Sequence, residues 1–193
     1  MSKSVSSKQI EQFTKQKISS LIMQAKSNTG VLAELRRGIG KKPGELPQLW
    51  GYFLESMPEN FYGDKEPSRA EWAIYTVLTL YALHQQGKSL ETDVMYLEGQ
   101  TFGKAVANLV HNENDKERVI RRFNTIATAA SIEETVHYLR GMIQLLRNEN
   151  IGLDYPALAG NIFLYQFPEF SSQVRLKWGQ DFYSNLMKEK EEV

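Results

Sequence analysis

The sequence contains no cysteine. That excludes a disulfide framework, a thiolate metal site and a cysteine nucleophile, and it suits a reducing compartment. Histidine is scarce as well. His84, His111 and His137 stand far apart, with no more carboxylates at ligand spacing than chance would place there, so each reads as a surface or half-buried residue rather than a metal ligand. Long apolar runs are missing: the most apolar stretch, Trp72–Leu83, is far shorter than the roughly 20 residues that span a bilayer. The N-terminal "MSKSVSSKQIEQF" lacks the apolar core of a secretory signal. These absences lead us to expect a soluble cytoplasmic chain with no membrane segment, no metal and no cofactor. The six prolines fall at helix starts and in loops, never inside an apolar helical pattern, and no alternating strand pattern stands out.

What is present is ordinary in amount and uneven in arrangement. Hydrophobic residues make up 41% and charged residues 24%, the balance of a folded chain rather than a disordered one. At 193 residues the length suits one domain, 1–193. Amphipathic spacing predicts a first helix over Gln9–Ser27, through Ile10, Phe13, Ile18, Leu21, Ile22 and Ala25. A short second helix carries Val31, Leu32 and Leu35, and Pro47 opens a third through Leu49, Trp50, Phe53 and Leu54. The capping-box pattern Ser68-Arg-Ala-Glu71 starts a long helix to about Gln86 that is apolar on nearly every side and so should be central.

Further helices are expected near Thr101–His111 and Asp115–Thr128, and from a second capping box at Ser131–Glu134 to about Asn148. Two more follow, from Asp154 and from about Phe170 to Lys188. Residues 87–100 look least structured. The expected fold is all-α, a compact bundle of about eight or nine helices. The N-terminal helix within 1–28 and the charged tail 188–193 flank it.

Net charge is zero, yet the charges are clustered. Gly30–Lys42 carries four basic residues against Glu34, and Lys116–Arg122 four against Glu117. A neutral total can hide a basic face, although solvated helix surfaces explain each cluster equally well. The first cluster sits in "LRRGIGKKPGELPQLW", where Arg36–Gly44 holds four basic residues, three glycines and a proline in nine positions. This is not a phosphate loop of the nucleotide-binding kind. Three residues rather than four separate Gly40 from Gly44, Glu45 follows in place of Lys, and a helix rather than a strand precedes. The acidic pair Glu133-Glu134 lies at a helix start, where the dipole favours acids without any catalytic role. No nucleophile motif appears, and no catalytic activity is expected.

The arginines are the remaining chemistry. Arg118, Arg121 and Arg122 recur at i, i+3 and i+4, so they share one helix face. His137, Arg140, Gln144 and Arg147 form a polar stripe beside the apolar stripe Val136, Leu139, Ile143 and Leu146. A guanidinium fork matches phosphate oxygens in two-point contact and stays protonated at working pH. Arg36 and Arg37 close a helix, where they also suit its negative pole. No aromatic is interleaved with these arginines, so the surface suits phosphate tracking without base stacking.

The segments "LAELRRGIGKKPGELPQLW", "AEWAIYTVLTLYALHQQ", "RRFNTIATAASIEETVHYLRGMIQLLRNENIGLDYPALAGNIFLYQ" and "VRLKWGQDFY" resemble the small subunit of Cascade, the type I-E CRISPR surveillance complex. The likeness runs in order from about Val31 to Tyr183. It implies an all-helical, non-enzymatic subunit, present twice per complex and packed against the backbone and large subunits. Such a subunit would contact guide RNA, target DNA and the displaced strand through phosphates, and so stabilise the R-loop. The positions that match the family's basic residues are Arg36, Arg37, Lys104, Arg121, Arg122 and Arg140. Lys41, Lys42, Arg118 and Arg147 join this candidate set on charge alone. A helical protein–protein adaptor, its arginines meeting acidic partner surfaces, is the alternative from a different class.

Overall fold

The computed structural model describes residues 4–191. Among the described residues nine α-helices follow one another: α1 (Ser7–Ser27), α2 (Gly30–Arg37), α3 (Trp50–Phe53), α4 (Arg69–His84), α5 (Phe102–Ala107), α6 (Glu113–Ala127), α7 (Ile132–Asn148), α8 (Tyr155–Tyr165) and α9 (Pro168–Glu191). Short 3-10 turns at Pro47–Leu49 and Glu59–Phe61 complete the set. Among the described residues the only β-pairing is an isolated bridge between Tyr96 and Leu153. The chain is an all-α bundle, as its periodicity predicts.

Local chemistry sets the helix starts. Ser68 Oγ accepts from Glu71 N at 3.0 Å, and the Glu71 carboxylate accepts from Ser68 N at 2.7 Å, the reciprocal capping box read from the sequence. The same carboxylate reaches back to Gly63 N at 2.9 Å, so it fastens the preceding loop as well. At α7 the box is modified. Ser131 caps Glu134 N, but the Glu134 carboxylate accepts from Ala130 N at 2.6 Å, one residue earlier than expected. A third box, Ser6 with Gln9, opens α1 at Ser7, two residues before the expected start at Gln9. Pro168 opens α9, also ahead of its apolar pattern. The third expected helix is divided, its first turn 3-10 and its second α, while the helix expected over 101–111 ends at Ala107.

α4 lies at the centre. All of its residues except Arg69 and Glu71 are buried, and it packs against α1, α2, α7 and α8. α8 is nearly as enclosed, lying between α1, α4 and α9. α5 lies along α9, where Phe102 meets Trp178 edge-on with ring centroids 5.1 Å apart. Trp178 and Phe182 are buried while Tyr183, one residue on, is 54% exposed. The contiguous core reaches from Ile10 to Phe182.

Within residues 87–100, the stretch from Lys88 to Met95 is gathered around one side chain. Gln85, buried just past the end of α4, donates to the carbonyls of Lys88, Ser89 and Asp93 and accepts from Met95 N at 2.9 Å. Next to it, His84 is wholly buried rather than the surface or half-buried residue expected. Its Nδ1 meets the Tyr155 hydroxyl at 2.8 Å, whereas Nε2 makes no hydrogen bond of normal geometry. Burial above all pushes the imidazole down to about 4, and the nearby charges of Lys88 and Arg147 act in the same direction.

Two expectations follow for stability. Leu78 is fully enclosed, so Leu78→Ala should cost about 2–5 kcal/mol in denaturant melts; a loss below ~1 kcal/mol would show that the core lies elsewhere. The second concerns pH. The folded His84 pKa lies below the unfolded value near 6.5, so the native state binds fewer protons. Its contribution should be complete above pH ~6.5 and lost as pH falls toward 4. Melting temperatures over that range should show the stability gap between the wild type and His84→Asn narrowing on acidification.

Candidate nucleic-acid interface

The basic loop is a turn between helices. A Cβ on Gly38 would sit 2.5 Å from the Tyr75 hydroxyl oxygen and 2.7 Å from Leu49 Cδ1, so only glycine lets α2 end this close to α4. Tyr75 donates to the Gly38 carbonyl at 3.1 Å and secures the approach. Gly40 and Gly44 turn the chain at φ 78° and 95°, a region that L-residues avoid. Lys41 Nζ lies 3.8 Å from Glu45 Oε2, and the same carboxylate accepts from Lys42 N at 2.8 Å. Both lysine side chains are exposed. The turn's own amides and acid therefore occupy each other, and no phosphate cradle is formed.

Lys41 and Lys42 belong to this turn, and the other eight candidate residues divide into three groups. Arg36 and Arg147 come together where α2, α4 and α7 all end. Arg36 is half-buried and donates to the Ala82 carbonyl at 3.3 Å; Arg147, also half-buried, donates to Gln86 Oε1 at 3.1 Å. Burial first, and then the like charge of Arg147, push the Arg36 guanidinium below its ordinary value. It remains a cation at neutral pH. Two guanidiniums tolerate each other here because helix carbonyl ends present partial negative charge. Arg36 is thus tied into the structure more firmly than its sequence position suggests.

The second group lies on α6 and α7, which pack as neighbours. Arg118, Arg121 and Arg122 are all exposed. Arg118 pairs with Asp115 one turn back, and Arg121 Nη2 lies 2.8 Å from Glu117 Oε1. Arg122 has no ion-pair partner among the described residues. With Arg118 it lines a recess of 210 Å³ whose far wall is Leu145, Asn148 and Glu149 at the end of α7. Arg140, exposed on α7, is also unpaired among the described residues. The C-terminal turn of α7 therefore separates the α6 arginines from the Arg36–Arg147 pair.

The third group stands apart. Arg37 is exposed at the end of α2, without a side-chain partner among the described residues. Lys104, half-buried on α5, donates to the Gly99 carbonyl at 3.3 Å. No described contact joins Lys104 to the arginines.

Two further cations escaped the sequence reading. Arg69, the first residue of α4, lies over the Phe167 ring at 4.2 Å from its centroid, and Arg175 of α9 lies over Tyr165 at 5.4 Å. Both line one recess of 510 Å³ beside the starts of α7 and α9. Nothing in the local sequence marks them, because each lies outside the basic runs and Phe167 is remote in sequence from Arg69. Among the described residues no group of histidines and carboxylates is arranged to hold a metal ion, and no helix is long and apolar enough to cross a membrane.

Comparison with known proteins supplies the context. No protein among the curated sequences matches at a significant level. The fold is shared with the crystal structure of CasB from Thermobifida fusca, 30% identical, with a TM-score of 0.71 over 92% of this chain and 97% of that one. CasB from Thermus thermophilus is 22% identical, with a TM-score of 0.66 over 93% and 99%. A chain from a structure described as a CRISPR RNA-guided surveillance complex, 16% identical, reaches 0.74 over 95% and 98%. The profile of the CRISPR-associated protein Cse2 family matches residues 31–183, which span α2 through most of α9, and the chain belongs to that family.

Proposed function

We propose that this protein is the non-catalytic small subunit of a type I-E Cascade complex, where it holds nucleic-acid backbone on a basic surface and stabilises the guide RNA–target DNA R-loop. Its partners in this reading are the backbone and large subunits, a second copy of itself, the guide RNA and both DNA strands. Family membership supports the assembly, as does the shared fold with a chain from a surveillance complex. The observation that carries the nucleic-acid part is the exposed row on α6, where three guanidiniums share one face and Arg122 faces solvent unpaired. One contiguous core supports treating 1–193 as a single domain.

The ion pairs on α6 do not oppose this reading. Arg118 and Arg121 pair within their own helix and are 72% and 73% exposed, where such pairs are worth about 0.3–0.5 kcal/mol. A phosphate can displace Glu117 from Arg121 at little cost and gain a two-point contact in return. Arg36 and Arg147 serve differently. Each already spends a donor on the end of α4, so they set the edge of the basic surface and offer only their remaining N–H groups. Arg37, Arg140, Lys41 and Lys42 extend it, while Lys104 lies apart on α5.

The adaptor reading keeps one point in its favour: α9 exposes Leu176, Tyr183 and Met187 along its length, a face suited to protein contact. Both readings predict protein partners, but only the first predicts salt-dependent DNA binding.

Arg121→Ala with Arg122→Ala should weaken binding of the isolated protein to single-stranded DNA equally for unrelated sequences. The log–log salt slope should fall by roughly 0.7 per lost contact. In an assembled complex the R-loop should be unstable while guide-RNA loading is intact. Unchanged affinity and slope would assign these arginines to protein contacts instead.

A paired stability measurement separates the two arginine environments. Arg36→Ala should cost about 1 kcal/mol through the lost bond to Ala82, whereas Arg122→Ala should stay within about 0.5 kcal/mol of wild type. Equal costs in denaturant melts would show that Arg36 is as loosely held as Arg122.

A further inference from the structure

The recess beside the starts of α7 and α9 has the chemistry of an anion site, and none of the ten candidate residues lies in it. Its walls bring in Arg69 from the start of α4, Ser171 and Arg175 from α9, Thr128 and Ser131 from the α6–α7 junction, and Gln166 from the α8–α9 junction. Neither arginine has an ion-pair partner among the described residues. Each instead rests on an aromatic face, Arg69 on Phe167 and Arg175 on Tyr165. Stacking orients a guanidinium while leaving the N–H donors at its edge available, the arrangement suited to a planar two-point contact with phosphate.

The support behind the arginines is rigid. The Tyr165 ring stacks on Trp178 at 5.7 Å with an interplanar angle of 17°, and its hydroxyl lies 3.0 Å from the Ala127 carbonyl and 3.2 Å from that of Ala129. Gln166 Nε2 donates to the Arg69 carbonyl at 2.9 Å, tying the start of α4 to the end of α8. No carboxylate lines the recess among the described residues. The first-turn acids Glu133, Glu134 and Glu169 belong to the adjoining helices but not to its walls. The positive poles of α7 and α9 also face this region, offset in part by those acids, of which Glu134 accepts from the N–H of the wall residue Ala130 at 2.6 Å.

The recess also continues the α6 row. Arg118, Arg121 and Thr125 recur at spacings of three and four along α6, so they share one face, and Thr128, the C-cap that follows, is part of the wall. The distance along the helix from Arg121 to Thr128 is about 10 Å, a span that one or two nucleotides of a single strand bridge.

We propose that Arg69 and Arg175 form a second phosphate-contact site, which takes the backbone of the same nucleic-acid strand that lies along the α6 arginines. This rests on the nucleic-acid reading given above and extends it beyond the family's matched basic positions.

The test is fluorescence anisotropy of the full-length protein with a dye-labelled 40-nucleotide single-stranded DNA over a series of salt concentrations. The proteins compared are wild type, Arg69→Gln with Arg175→Gln, Arg69→Lys with Arg175→Lys, and Arg121→Ala with Arg122→Ala. The glutamine pair should bind more weakly, with a salt slope shallower by about 1.4 for two lost contacts; the lysine pair should recover most of the slope. Ser171→Glu, which places an acid in the first turn of α9 where it suits the helix dipole, keeps both arginines and their stacking and should also lower affinity. It carries the test if the glutamine pair melts early. Wild-type affinity and slope in both the glutamine pair and Ser171→Glu, alongside a clear loss in the Arg121/Arg122 variant, would overturn this site and leave the broader function standing. Absence of salt-dependent binding by the wild type would overturn the broader reading first.

Discussion

The structure depends on a helix that has no side to show to water. In α4, from Trp72 to His84, every residue is buried, so exposing any face of it would return apolar area to solvent at roughly 25 cal/mol per Å². The fold answers by surrounding it with α1, α2, α7 and α8. The position of α2 follows from this constraint, because its C-terminus must approach α4 closely enough that Gly38 lies against Tyr75 and Leu49. The basic turn is therefore placed by packing on α4.

Enclosing α4 also concentrates polar chemistry at its two ends. At the C-terminal end the buried His84 and Gln85 satisfy a loop and a tyrosine, and Arg36 and Arg147 reach helix carbonyl or side-chain amide oxygens. At the N-terminal end Ser68 and Glu71 cap the helix while Arg69 stacks outward on Phe167. The first end uses its cations to complete the fold. The second leaves its cation over an aromatic ring, with no ion-pair partner among the described residues.

Charge follows the same division on α6. Its arginines are balanced mainly by acids of their own helix, Arg118 by Asp115 and Arg121 by Glu117, and exposed pairs of that sort hold little energy. A chain of zero net charge can thus hold exposed arginines whose intrahelical pairs are weak enough to be exchanged for another anion.

Much of this was legible in the sequence because it is local. Helical periodicity, the Ser68–Glu71 box, the glycine stops and the apolar α4 depend on neighbours within a turn or two, and the all-α bundle follows from them. Arg118, Arg121 and Arg122 were found for the same reason, since helical spacing alone places them on one face. What only the tertiary structure decided involves residues remote in sequence. His84 is buried because Tyr155, 71 positions away, closes over it; Gln85 organises a segment that has no periodicity of its own. Arg36 became half-buried because α7 brought Arg147 and α4 brought a carbonyl to the same place. Arg69 and Arg175 share a recess only because the ends of α6 and α8 meet there. Spacing along a chain records which residues share a helix face, whereas the pairing of two helix ends is set by how the apolar faces between them bury one another.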